Sequence, residues 1–153
     1  MSPRAACRLE TLGFESVYDY VPGKVDWLAR GLPTEGDESS APRVGRLARD
    51  DAATCRLGDP AEGLQELIEA SPYGFCLALA EDGTLLGRVR RSTLERGAAG
   101  TAEDVMEAGP STVRYDLGVD ELRERLEKRD LKTAIVTTPE GKLIGIVRRA
   151  DLG

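Results

Sequence analysis

Residues 43 to 153 carry one pattern written twice, 58 residues apart and without a gap. Placing Asp82–Leu94 (DGTLLGRVRRSTL) above Glu140–Leu152 (EGKLIGIVRRADL) gives seven identities in thirteen positions. The same offset pairs Thr54 with Thr112, Arg56 with Arg114, Leu64 with Leu122, Glu66 with Glu124 and Glu69 with Glu127. A chance match does not hold register over so long a stretch. A repeat of this size is a small supersecondary unit that cannot cover both of its own faces, so the copies must pack on each other. At 153 residues the chain has room for such a pair around a real core, without disulfide or metal staples.

Each copy reads as strand, helix, hairpin and short closing helix. The opening strands are Ala53-Thr54-Cys55-Arg56 and Ser111-Thr112-Val113-Arg114-Tyr115. Turn residues follow, Gly58-Asp59-Pro60 and Asp116-Leu117-Gly118, and then apolar residues recur at helical spacing: Leu64, Leu67 and Ile68 in one copy, Val119, Leu122 and Leu126 in the other. Asp59 before Pro60 fits a helix N-cap followed by a first-turn proline. The runs 75–79 and 133–137 are apolar or β-branched throughout, as strands buried on both faces must be. Glu81-Asp82-Gly83 and Pro139-Glu140-Gly141 supply turns before the strands 85–90 and 143–148. The predicted fold class is α+β, a pseudo-twofold pair of β-α-β-β-α units.

Ahead of the repeats, Ala5, Ala6, Leu9 and Leu12 predict a helix, Ser16 to Tyr20 a strand and Lys24 to Arg30 a second helix, a small αβα extension. The stretch GLPTEGDESSAPR, rich in Gly, Pro, Ser and acid, predicts a linker. The expected boundaries are 1–36 for the extension, 37–42 for the linker, 43–97 for the first repeat and 98–153 for the second. Trp27, Phe14, Tyr18 and Leu28 are expected to form an apolar patch that docks the extension on the repeats or on a partner protein.

Composition excludes several functions. The chain has no histidine, and Cys7, Cys55 and Cys76 are scattered without C-x-x-C spacing. That removes the usual zinc sites, histidine general bases and Ser-His or Cys-His nucleophile pairs, so no enzyme activity and no metal are expected. Cys55 and Cys76 read as small core residues. A net charge of -6 argues against a nucleic-acid partner. Apolar runs fall far below the roughly 20 residues that cross a bilayer, and no export signal opens the chain, so a cytoplasmic protein without membrane contact is expected.

The doubled pattern resembles the cystathionine-β-synthase (CBS) domain pair over about residues 43–153. The resemblance rests on Thr54 and Thr112 in the opening strands, the amphipathic helices, the apolar strands running into Asp-Gly or Glu-Gly, and the closing signatures Gly87-Arg88-Val89-Arg90-Arg91-Ser92-Thr93-Leu94 and Gly145-Ile146-Val147-Arg148-Arg149-Ala150-Asp151-Leu152. It implies a disc-like unit with two clefts, a likeness to homodimers, and a regulatory role that binds adenosine-containing ligands such as AMP, ADP, ATP, NAD or S-adenosylmethionine. In the family's closing motif a Ser or Thr is followed three residues later by an Asp that holds ribose hydroxyls. Here only Asp151 keeps that carboxylate, with Thr93 at the matching place in the first copy, and the Ser/Thr position is Arg90 in one copy and Arg148 in the other. Leu77 and Ile135 stand where the family has a proline. The resemblance therefore points to one ligand site, with Asp151, Arg148, Arg90, Thr54, Thr112, Thr133 and Ile135 as its candidate residues, the guanidinium groups being suited to a phosphate. Asp151 is equally consistent with capping a last helical turn or pairing with Arg148 or Arg149, in which case the repeat pair is a structural dimerisation module without a ligand.

Residues 4–36, from Ala5-Ala6-Cys7-Arg8-Leu9-Glu10 to Gly31-Leu32-Pro33, resemble the closing part of a rhodanese-type domain. That resemblance would suggest a sulfurtransferase with Cys7 as nucleophile. In rhodaneses, however, the catalytic cysteine lies in a loop before this helix, a place that would fall ahead of Met1. Cys7 lies on the helix itself, so persulfide chemistry is not expected.

Overall fold

The computed structural model describes residues 3–18, 20–30, 32–33, 42–96 and 99–153. They fall into two compact units, Met1–Ala41 and Pro42–Gly153. Apart from Pro42, the expected linker at 37–42 lies outside the described residues.

The first unit holds two helices, α1 (Pro3–Thr11) and α2 (Gly23–Ala29). The strand expected at 16–20 is not formed at its described positions, residues 16–18 and 20. A strand needs a neighbour to take its backbone hydrogen bonds, and the described residues of this unit offer none. The aromatic contact is also not the one expected. Trp27 packs edge-on against Tyr20, with ring centroids 5.0 Å apart, and its indole N–H donates to the Pro33 carbonyl at 2.8 Å. Phe14 and Tyr18 are exposed.

The second unit follows the repeat. The first copy contributes β1 (Thr54–Arg56), α3 (Ala61–Ala70), β2 (Phe75–Leu79), β3 (Leu85–Arg90) and α4 (Arg91–Leu94). The lead-in of the second copy holds α5 (Ala102–Val105) and β4 (Glu107–Ala108). The second copy contributes β5 (Thr112–Arg114), α6 (Val119–Lys128), β6 (Thr133–Thr137), β7 (Leu143–Arg148) and a closing 3-10 turn, Arg149–Leu152. In both copies the opening strand runs parallel to the middle one and the middle strand antiparallel to the last. The antiparallel ladders slip at equivalent places, between Ala78 and Leu79 and between Val136 and Thr137. The duplication thus extends to backbone irregularities.

Burial explains the uniform apolar runs. Along β2, Cys76 and Ala78 face α3 in a core with Cys55, Leu64, Ile68 and Val89. The alternate residues Phe75 and Leu77 face the other repeat and pack with Ile135 and Ile146. A strand covered on one side by its own helix and on the other by the second copy has no polar face to present.

Two local expectations are corrected. Asp59 does not cap α3, because Pro60 occupies the N-cap position and makes no side-chain cap. The Asp59 carboxylate instead accepts the Arg56 backbone N–H at 2.8 Å and closes the preceding turn. Leu67, at helical spacing with Leu64 and Ile68, is exposed.

Candidate functional site

The segment before β1 does not stay with its own repeat. Arg49 pairs across to Ile146 of β7, with Arg49 N–H donating to the Ile146 carbonyl and Ile146 N–H to the Arg49 carbonyl, both at 2.9 Å. The crossing is possible because residue 145 is glycine. A Cβ there would lie 2.2 Å from the Arg49 carbonyl oxygen and 2.7 Å from its carbon. The second copy makes the matching exchange, since Glu107 of β4 pairs with Arg88 of β3. Each lead-in therefore borders the end of the other repeat's last strand.

At the end of β7 this brings together four charged residues and a tyrosine. Arg49 grips Asp151 bidentately, Nε to Oδ2 at 2.9 Å and Nη2 to Oδ1 at 3.0 Å. Arg148 reaches Asp51 at 3.5 Å and lies over the Tyr73 ring, 5.1 Å from its centroid. The Tyr73 hydroxyl donates to the other oxygen of Asp51. Burial, followed by that hydrogen bond, pushes the Tyr73 hydroxyl above its usual pKa. The neighbouring Tyr73 oxygen in turn raises Arg148 further. The Arg148 Nε is buried and has no hydrogen-bond partner among the described residues. A buried guanidinium N–H without an acceptor is costly.

The other copy carries a different arrangement. Glu107 takes Arg88 at 2.6 Å and Arg90 at 3.1 Å. Arg88 first, and then Arg90, hold its carboxyl below the usual glutamate range. Thr93 supplies no carboxylate here, so one end of the pair centres on Asp151 and the other on Glu107.

The seven residues singled out in the sequence are thus dispersed. Asp151 and Arg148 come together, and Thr133 lies beside Arg148 as its β-register partner. Ile135 is buried in the core shared by the repeats, next to Ile146. Thr112 and Thr54 are exposed at the starts of β5 and β1. Thr54 also borders a hollow of about 190 Å³ with Arg56, Asp59 and Glu81. Arg90 belongs to the Glu107 cluster. Asp151 pairs with neither Arg148 nor Arg149, which instead meets Asp130 at 3.3 Å, and it makes no side-chain cap on its 3-10 turn. Arg49, Asp51, Tyr73 and Glu107 were not identified from the sequence.

The cysteines fit the core reading. Cys55 and Cys76 are buried in one cluster, and their mutual contact together with burial pushes the Cys76 thiol far up. Cys7 is exposed. Among the described residues no group of three or more acidic or cysteine side chains is placed to hold a metal, and no helix is long and apolar enough to cross a membrane.

Residues 102–152 match the family model of the CBS domain. Among solved structures, the AMP complex of CBSX2, a protein of Arabidopsis thaliana, superposes with a TM-score of 0.62 at 19% identity, over 72% of this chain and 92% of that one. The CBS domains of a transcriptional regulator from Streptococcus pneumoniae give 0.63 at 17% identity, over 72% and 96%. The fold is that of a CBS-domain pair. A third relative in structure, the CBS pair of protein MJ0100 with 5'-methylthioadenosine and S-adenosyl-L-methionine, gives 0.60 at 16% identity, over 73% and 93%. No curated protein sequence matches the chain. The comparisons lend no support to the rhodanese likeness of residues 4–36. In this fold, the Asp151 cluster sits where the lead-in of one repeat meets the closing strand of the other.

Proposed function

We propose that residues 43–153 form a non-catalytic regulatory module that binds an adenosine-containing or other anionic small molecule beside Asp151. The observation that carries this reading is the cluster of Arg49, Arg148 and Asp151, with an Arg148 N–H that has no acceptor among the described residues. A carboxylate can accept hydrogen bonds from a ribose diol, and guanidinium groups suit a phosphate. Complexes of similarly folded proteins with AMP, S-adenosylmethionine and methylthioadenosine support the ligand class. The absence of histidine from the sequence and the buried thiols favour a binding role over a chemical one. The reading includes a homodimeric cytoplasmic protein, with repeats at 43–97 and 98–153, a linker at 37–42 and an extension at 1–36 that meets a protein partner.

Thermal unfolding and calorimetry with AMP, ADP, ATP, NAD and S-adenosylmethionine test it. A ligand at 100 times its Kd adds about 2.7 kcal/mol of stability, a readily measured rise in Tm. Asp151→Ala is expected to abolish that rise. If none of the five ligands shifts the wild-type transition, the reading is wrong. The second reading, a structural dimerisation module without a ligand, is favoured by the fact that Asp151 is already satisfied by Arg49. It then requires a stable dimer at micromolar concentration with no ligand response.

A further inference from the structure

At the end of the first sheet where β1 and β2 finish and β3 begins, the two copies share a backbone but not its chemistry. The Gly45 N–H donates to the Tyr115 carbonyl at 2.8 Å, and the matching Glu103 N–H donates to the Leu57 carbonyl at 3.1 Å. In the second copy this corner is complete in itself. Tyr115 is buried, 7% exposed, and Arg114 holds Asp116 through Nε at 3.0 Å and Nη2 at 3.3 Å. In the first copy the matching positions carry Leu57, which is only half-buried, and Gly58, which has no carboxylate to give Arg56. Arg56 donates from Nη1 to the Ala80 carbonyl at 2.7 Å and has no acid partner among the described residues. Where the second copy has Pro139, the first has Glu81, whose carboxylate has no hydrogen-bond or ion-pair partner among the described residues. With Leu57, Leu79, Ala80 and Leu86, these two charges line a hollow of about 690 Å³, a size that suits a small molecule.

We propose that this hollow is a binding site for a free aromatic amino acid, its ring on the three leucines, its carboxylate on Arg56 and its ammonium on Glu81. Two parts of such a molecule replace what the second copy draws from its own chain, the ring of Tyr115 and the carboxylate of Asp116. The third, the ammonium, meets the acid that the first copy alone carries. A guanidinium with free N–H groups takes a carboxylate in a fork, and an aromatic ring laid on leucines removes a large apolar area from water. An amine without a carboxylate, or an acid without an amine, leaves one of the two charges unmet. An aliphatic amino acid covers less of the apolar floor. The site is separate from the Asp151 cluster and does not depend on a ligand there.

Amide NMR titration of the full chain with L-phenylalanine tests the proposal, with phenethylamine, which lacks the carboxylate, and hydrocinnamate, which lacks the ammonium, as comparisons. Phenylalanine should shift the amides of Leu57, Ala80 and Glu81 saturably, with a Kd on the order of 0.1 mM. Each comparison compound should bind about fivefold more weakly, since one exposed charge contact is lost. Leu57→Tyr should abolish binding, because it closes the corner with the side chain that the second copy carries at the matching place. Glu81→Gln changes only an exposed acid, and it supplies the readout if Leu57→Tyr does not fold. In that variant phenylalanine should weaken about fivefold while hydrocinnamate, which has no ammonium to lose, is unchanged. The absence of saturable shifts at these amides, equal affinity for the three compounds, or wild-type binding of phenylalanine by both variants overturns the site.

Discussion

Substituting alanine at the two equivalent glycines, Gly145 and Gly87, should give unequal losses of stability, because the added methyl meets different things. At Gly145 it would sit 2.2 Å from the Arg49 carbonyl oxygen and 3.2 Å from the Arg49 nitrogen, all main chain. Relief requires the lead-in to back away from β7 by more than about 1 Å, which breaks both Arg49–Ile146 hydrogen bonds and pulls Arg49 from Asp151. Each backbone bond is worth about 1 kcal/mol net. The ion pair, roughly half exposed on the arginine side, adds at most about 1 kcal/mol. The expected loss for Gly145→Ala is therefore about 2–3 kcal/mol, a fall in Tm of roughly 10 °C for a unit of this size. At Gly87 the methyl would meet Met106, 2.3 Å from Sδ and 2.8 Å from Cγ. A methionine side chain can rotate away, and the unfolded chain loses some freedom when glycine becomes alanine, so Gly87→Ala should cost about 1 kcal/mol or less. Urea unfolding followed by circular dichroism measures both. Equal losses, or a larger one at Gly87, would refute the claim that a main-chain crossing at Arg49 joins the lead-in to the second repeat.

Two further predictions concern the core and the other cluster. Leu77 is fully buried in the apolar cluster shared by the two copies, so Leu77→Ala should cost about 3–4 kcal/mol, read from the midpoint of denaturant unfolding. Glu107 has its pKa lowered by Arg88 and Arg90, so it titrates below the ordinary 4.5. Because the folded pKa is the lower one, its contribution to stability is present above the unfolded value and is lost as pH falls through the folded value. A carbon-detected NMR titration should show this, and Arg88→Gln should move the Glu107 midpoint back up.

Most of the fold was legible because duplication and burial leave marks that do not depend on knowing the partner. The runs 75–79 and 133–137 announce strands covered on both faces, and the structure puts strands over those same residues. The αβα extension was not legible in the same way. Residues 16–20 have β-prone composition, but a strand depends on a neighbour that a local pattern does not report.

The site divides along the same line. Asp151 and Arg148 could be found because each has a counterpart in the repeat and a place in a known motif. Arg49 could not be found from the motif, because it lies upstream of the first repeat's opening strand and acts on the far end of the second. One signal was nevertheless available. Arg49 and Glu107 stand 58 residues apart, as do Ile146 and Arg88, so the crossing contact in one copy predicts that in the other. The charges at these matched positions are reversed. Where the lead-in carries arginine, the facing turn carries the acid Asp151; where it carries glutamate, the facing strand carries Arg88 and Arg90. The two ends of the pair have kept a charged contact while exchanging its polarity, so the acid that faces the lead-in at one end is replaced by two arginines at the other.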